Sequence, residues 1–484
     1  MPARHIDVSD VVPPQLVEGF TRLQDSLSVS IDFPDEVVEA AQASVAAGPR
    51  PDDTRVDHTG VEFVTIDPPG SLDLDQALFL ERTGVPVHPD AGYRVWYAIA
   101  DVAAWVEPGG VIDAECHRRG QTIYAPDAKA PLHPAVVSEQ AASLLADGKR
   151  RPALVWQVEL DARGEQVSAT VERGWVTSRA KLDYAGVQAQ LDAGTASESL
   201  TLLRTVGELR EAREIERGGV SLNIPEQEIE ASGNHWTLAF RSQLPVEGWN
   251  AQISLLTGMA AASMMLGAGV GILRTLPPAE QWSIDKLRHE AKALKIAWPG
   301  SLGYPEFVRS LDPSVPDHQA MLNFSTSLFR GAGYTVIEPG MTGRTTVHGA
   351  LAAHYSHTTA PLRRLVDRYV GETCLAISAG RPVPPWVLEA LPRLPSEMAE
   401  SEARAKKFER GIVGLVEALV LQHRVGEVFD GVVVDVDAKR GATISIAHPA
   451  VEAPLKGTAE LGREVRARLD RVDLGSGQVS FSVV

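Results

Sequence analysis

The chain has 484 residues, a net charge of −17, and a composition of 44% hydrophobic and 23% charged residues. That length exceeds a single hydrophobic core and implies two to four domains of ordinary globular make-up. The acidity excludes a protein that grips nucleic acid over its whole surface, yet leaves room for a local basic channel.

Residues 1–54 read as a helical amino-terminal extension and linker. The opening MPARHIDVSDVV lacks the apolar core of a secretory signal. Leu16, Phe20, Leu23 and Leu27 recur at helical spacing. Pro34 opens a second helix with acids in its first turn, and GPRPDDTRVDHTG (48–60) reads as a polar linker. From Val61 the pattern turns to strands. VEFVTI, LDQALFL, YRVWYAIADV and RPALVWQVEL are short, β-branched and aromatic, with turns between them. SLTLLRTVGELREAREIE (199–216) is an amphipathic helix, and WNAQISLLTGMAAASMML (249–266) is apolar almost all round, as a helix buried in a large domain would be.

RPVPPW and LPRLP (381–395) break the pattern before a long helix over 396–422, with Glu402 and Lys406 four residues apart. GEVFDGVVVDV, ATISIAH, REVRARLDRV and QVSFSVV are then strands spaced for a small antiparallel barrel. The expected fold is α+β with mixed α/β character. A large domain with a mixed sheet and packed helices spans 55–422, and an OB-fold barrel spans 425–484. No apolar run reads as approaching the roughly 20 residues that span a bilayer. Two cysteines, Cys116 and Cys374, are too few for a disulfide framework. A reducing, cytoplasmic setting with no membrane is expected.

In TIDPPGSLDLDQALFL (65–80), Asp67, Asp73 and Asp75 lie within nine residues of otherwise apolar sequence. If Asp73-Leu74-Asp75 is strand, both carboxylates share one face and Leu74 the other. Pro68-Pro69-Gly70 would turn Asp67 back toward them. Three convergent anions repel unless a cation sits between them, and a hard divalent ion such as magnesium suits oxygen ligands. The plainer alternative is a solvated acidic turn. In HYSHTTAPLRRLVDRYV (354–370), Thr358 and Thr359 read as N-caps and Pro361 as first-turn. Leu362, Leu365, Val366, Tyr369 and Val370 form the buried stripe, and Arg363, Arg364 and Arg368 lie off it. A helix amino end with two arginines suits a phosphate. The alternative is a surface helix whose arginines are solvated, and His354 and His357 read as locally packed.

Together these segments resemble the ribonuclease II family, whose catalytic unit is the RNB domain. Thr65-Ile66-Asp67-Pro68-Pro69 with Asp73-Leu74-Asp75 matches its first signature, and His357 to Arg364 its second. YAIADVAAWV (97–106) and AECHRRGQTIYAPDAKAPLHPAVVSEQAASLL (114–145) match segments between them. The resemblance implies a magnesium-dependent 3′-to-5′ exoribonuclease that releases nucleoside monophosphates from single-stranded RNA. It implies that Asp67, Asp73 and Asp75 hold one or two magnesium ions, with Asp75 most critical to chemistry and Asp73 supporting the metal site. Arg363 would hold the scissile phosphate, with Arg364 beside it. Tyr124 would stack on the terminal base, and Glu409 would pack on that base from the other side. The sequence departs from the family in two ways. Gln76 stands where the family run has a fourth acid, which weakens one metal site. Residues 1–54 are also too few for the family's two amino-terminal cold-shock folds. An RNA-binding protein with a catalytically impaired RNB fold is therefore the second reading.

Overall fold

The computed structural model describes residues 14–84, 88–125, 128–222, 226–232, 235–329, 331–338, 340–341, 346–437 and 441–484. Its centre is a seven-stranded sheet in the spatial order Val56–Asp57, Gln166–Val176, Arg151–Leu160, Tyr93–Ala100, Gln76–Arg82, Val64–Ile66, Ala180–Leu182. Neighbours run antiparallel except at the two edges, where Val56–Asp57 and Ala180–Leu182 pair in parallel. Arg151–Leu160 is buried along nearly its whole length, as expected of a strand covered on both faces.

The apolar helix Pro245–Ala268 packs against Glu198–Glu216, Leu365–Ser378 and the sheet strands Arg151–Leu160 and Gln166–Val176. By length and composition alone this helix could cross a membrane, contrary to the sequence expectation, and half of its apolar window is buried here. Its Gly258 sits under the loop before Leu365. A Cβ there would run into the Tyr355 ring and the Ser356 carbonyl, and the Gly258 carbonyl accepts the Ser356 N–H at 3.1 Å. The small residue thus lets that loop lie on the helix.

Residues 48–60 are tied in rather than loose. Val56–Asp57 joins the sheet, and Arg55 pairs with buried Asp101 at 3.0 Å. A second core joins the helix Pro14–Leu27, the long helix Leu394–Leu421 and the barrel. The two helices cross at glycines. A Cβ on Gly19 would meet Leu415 at 2.9 Å, and one on Gly411 would meet Leu23 at 2.7 Å. The barrel closes in the order Val428–Asp437, Gly441–Ala447, Ala450–Lys456, Gln478–Val483, Glu464–Asp473, with one parallel pair.

Two local expectations fail. Asp73 to Asp75 is not strand, because Gln76–Arg82 begins one residue later. Side-chain bonds replace the ladder there. Ser143 Oγ accepts from the Leu74 N–H at 3.0 Å and donates to the Leu72 carbonyl at 2.6 Å. Thr358 and Thr359 are not caps either. The helix starts at Leu365 with Arg364 as its N-cap. Ala360 precedes a proline and so disfavours helix. The turn is instead pinned from inside the helix by Asp367, whose Oδ1 accepts the Ala360 N–H at 2.8 Å. Arg363 and Arg364 therefore precede the helix. Arg368 is buried, not off the stripe, and bonds Asp113 at 2.6 Å and the Val106 carbonyl at 2.8 Å.

Candidate functional site

The two sequence signatures meet in space. Asp75 is 3% exposed. Its Oδ1 accepts the Leu362 N–H at 2.7 Å, and its Oδ2 lies 3.5 Å from Arg363 Nε. Leu74 between the two aspartates is fully buried and anchors the segment. Truncating such a leucine typically costs about 2–5 kcal/mol and would here release both flanking carboxylates. Burial pushes the Asp75 carboxyl well above the usual carboxylate range, against the pull of Arg363 and the Leu362 N–H.

Asp67 follows directly on Val64–Ile66, held by its N–H to the Leu182 carbonyl at 3.1 Å. Burial raises its carboxyl to about 6 and the Asp73 charge adds to this, while Arg363, Lys181 and the Thr65 hydroxyl oppose it. Its Oδ2 is buried with no hydrogen-bond partner in the protein. An orphaned, charge-strained carboxylate oxygen is what a divalent cation would relieve, so the residues fit such an ion at Asp67. Among the described residues, no three His, Cys, Asp or Glu side chains are already gathered as a closed metal cage.

Asp73 is differently placed. Its Oδ2 accepts from the Tyr124 hydroxyl at 3.2 Å, and its Oδ1 lies 3.1 Å from Lys129 Nζ. Lys129 Nζ also reaches Glu139 at 2.9 Å. Tyr124 and Lys129 face each other across the strand pair Ile123–Tyr124 and Lys129–Ala130. Sequence reasoning missed Lys129 and Glu139. The signal was local: Tyr-Ala-Pro-Asp-Ala-Lys reads as two short strands around a Pro-Asp turn, which places the lysine opposite the tyrosine.

Tyr124 is 37% exposed, which leaves ring surface open beside the carboxylates. The Arg363 side chain is 45% exposed at the same place. Arg364 is turned away. Its Nε and Nη2 donate to Asp367 at 2.6 and 2.9 Å. Glu409 is half-buried on Leu394–Leu421, the helix packed against the strand of Tyr124. It lies seven residues beyond Glu402, hence on the same helix face. Glu402 pairs with Arg274 at 3.1 Å, whose guanidinium lies over the Tyr334 ring. His357 bonds Tyr334 at 2.6 Å and His354 the Thr346 carbonyl at 3.1 Å, so both histidines have local partners. Gln76 Oε1 accepts from Ser254 at 3.0 Å and from the Tyr97 hydroxyl.

Residues 55–377 match the RNB domain, and residues 427–484 match the RNase II-type exonuclease C-terminal S1 domain. The chain belongs to the RNB-domain family. It is 25% identical to Ribonuclease R of Thermotoga maritima over 94% of this chain and 68% of that protein. It spans only 39 to 48% of several other curated relatives. Solved structures share the fold, two of them as follows. One is Mycoplasma genitalium RNase R in complex with ribose-methylated single-stranded RNA, at a TM-score of 0.85 and 18% identity, covering 97% of this chain and 78% of that one. The other is yeast Ssd1, described as a pseudonuclease, at 0.67 and 15%, covering 89% and 54%. That fold is thus shared by an RNase R and by a protein described as a pseudonuclease.

Proposed function

We propose that this RNB-family chain is a magnesium-dependent 3′-to-5′ exoribonuclease that hydrolyses single-stranded RNA to nucleoside 5′-monophosphates. The observation that carries the reading is the convergence of buried Asp75, orphaned Asp67 and exposed Arg363, drawn from segments nearly 300 residues apart in sequence. A magnesium ion at Asp67, with Asp73 and Asp75 close by, would supply an acidified water and neutralise phosphate oxygens. Arg363 offers its exposed guanidinium to the scissile phosphate and to the charge that grows on it. Asp75 orients that guanidinium and, through the Leu362 N–H, fixes the turn that carries it. The open Tyr124 face stacks the terminal base without regard to its identity, and Glu409, on the helix packed against the Tyr124 strand, would pack on that base from the other side. Arg364 acts by shaping the turn through Asp367.

We assign residues 1–54 as an amino-terminal extension, 55–422 as the catalytic domain with its carboxy-terminal helices, and 425–484 as an RNA-binding barrel. The RNase R relatives and the RNA-bound neighbour support RNA as the substrate, and a cytoplasmic setting accords with the buried free thiols. Gln76 favours a second reading, an RNA-binding protein with an impaired site, because its amide oxygen already serves two hydroxyls.

Linear and circular forms of one RNA, incubated with magnesium, separate the readings. The linear form, labelled at its 5′ end, should shorten progressively from the 3′ end and release 5′-monophosphates. The circle should persist. Cleavage of the circle, or removal of nucleotides from the 5′ end, contradicts the exonuclease mechanism. Binding without shortening supports the impaired-site reading.

A further inference from the structure

We propose that Lys129 is a resident cation standing where a second divalent ion would otherwise bind, so that the site loads a single metal ion, at Asp67. The inference rests on the metal-dependent reading of this site and deepens it. The side-chain oxygens of Asp73, Asp75 and Gln76 can each be followed to a neighbouring donor or cation. Both Asp73 oxygens are engaged, one by Lys129 and one by Tyr124. Asp75 uses one oxygen on the Leu362 N–H and turns the other toward Arg363. Gln76 Oε1 accepts from Ser254 and Tyr97. Asp67 Oδ2 alone among these oxygens is buried without a partner.

The lysine is built into place. The register of its strand sets it opposite Tyr124. Its ammonium lies 3.1 Å from Asp73 and 2.9 Å from Glu139. Glu139 is carried by Val136–Ala141, a π-helical turn, a geometry that recurs at functional sites. Gln76 removes one negative charge that an acid would supply, and Lys129 adds one positive charge. A second dication entering beside Asp73 would have to displace a fixed monocation from its two carboxylates and would find no charged ligand at Gln76. Lys129 is thus a positioning residue that sets the charge and the metal count of the site.

Manganese stands in as the probe, because it can be counted by electron paramagnetic resonance and by calorimetry on the full chain without RNA. The parent should bind one Mn²⁺ per chain, and Asp67→Asn should lose it. Lys129→Met keeps the stem and removes the charge, leaving Asp73 and Glu139 unneutralised, so a second Mn²⁺ should appear. Lys129→Arg should stay at one. Should Lys129→Met fail to fold, Lys129→Gln is expected to give the same second ion, and the parent's count is decisive by itself. Two ions in the parent, or one ion in a folded Lys129→Met or Lys129→Gln chain, overturns the proposal. A parent that binds one ion and hydrolyses no RNA defeats the nuclease reading alone. An active parent with two ions defeats this inference alone.

Discussion

Two arginine–aspartate pairs share one turn of this molecule, and they are built for opposite purposes. Arg364 and Asp367 are closed. Two N–H groups of the fork meet the two carboxylate oxygens at 2.6 and 2.9 Å, the Ala360 N–H adds a third bond, and the Asp367 side chain is fully buried. Arg363 and Asp75 are open. They approach only to 3.5 Å, and the arginine side chain is 45% exposed. The carboxylate is buried all the same, and its proton affinity is raised well above the ordinary range, chiefly by desolvation. A charge pair that has satisfied itself holds structure. One left incomplete, on a rigid support, keeps its electrostatic energy for a ligand. The adjacent arginines of the signature do different work, and the closed pair is what holds the open one in position.

The closed pair should break first on the stability axis. Asp367→Asn leaves a half-buried guanidinium without its counter-ion, a change whose cost approaches the roughly 3–5 kcal/mol of breaking a fully buried pair. Denaturant unfolding should show a midpoint well below the parent's. A midpoint equal to the parent's would mean that the fork holds nothing together.

The open pair should respond on the activity axis instead. Arg363→Ala should lower kcat by about 10²–10³, the usual cost of losing one preorganised donor to a developing charge. Its unfolding midpoint should stay near the parent's, because the side chain is half in solvent. A large loss of stability with kcat retained in the folded fraction would reverse the assignment of the two arginines.

Asp67 sharpens the contrast through pH. Its carboxyl is raised to about 6, mainly by burial. A raised carboxyl favours the folded state while protonated, so this contribution is present below about pH 4 and lost as pH climbs through 6. By linkage the metal-free protein should give up on the order of 2–3 kcal/mol from this group between those limits. Magnesium needs the ionised form, so its stabilising effect should grow over the same window. Melting temperatures with and without magnesium at pH 5 and pH 7.5 check this. An equal magnesium shift at both pH values would remove Asp67 from the metal site.

The smallest effect is expected at the base platform. Tyr124→Ala removes a stacking partner worth about 1–3 kcal/mol per base and leaves Asp73 still paired with Lys129. Digestion should stop at longer residual fragments, read on a denaturing gel, while the first nucleotides are removed at near the parent rate. Residual fragments of unchanged length would place the terminal base elsewhere.

Much of this was legible in the sequence because the informative signals were short and local. The acidic run and the arginine pair stand out from their residues, the tyrosine segment only through the family resemblance, and the barrel from its strand spacing. Local pattern does not always imply regular structure. Asp73 to Asp75 alternates like a strand but is pinned by Ser143, some 70 residues later. Thr358 and Thr359 look like caps, yet the cap-like bond comes from Asp367, within the helix that follows. Helical spacing sets Arg368 off the buried stripe, but Asp113 and the Val106 carbonyl draw it into the interior. In each case a side-chain bond across sequence distance overrode local propensity. Lys129 becomes legible only once Ile123–Tyr124 and Lys129–Ala130 are read as a strand pair, which sets it opposite Tyr124.

The central claim is that the charge of Asp75 serves the reaction and not the grip on RNA. Asp75→Asn removes that charge while keeping an acceptor for the Leu362 N–H. Hydrolysis of a 5′-labelled single-stranded RNA by this variant, measured beside its affinity for the same RNA, tests the claim most directly. The account predicts a loss of hydrolysis of at least about a thousandfold, the scale of central catalytic groups, with affinity close to the parent's. An Asp75→Asn protein that shortens the RNA at near the parent rate would contradict it.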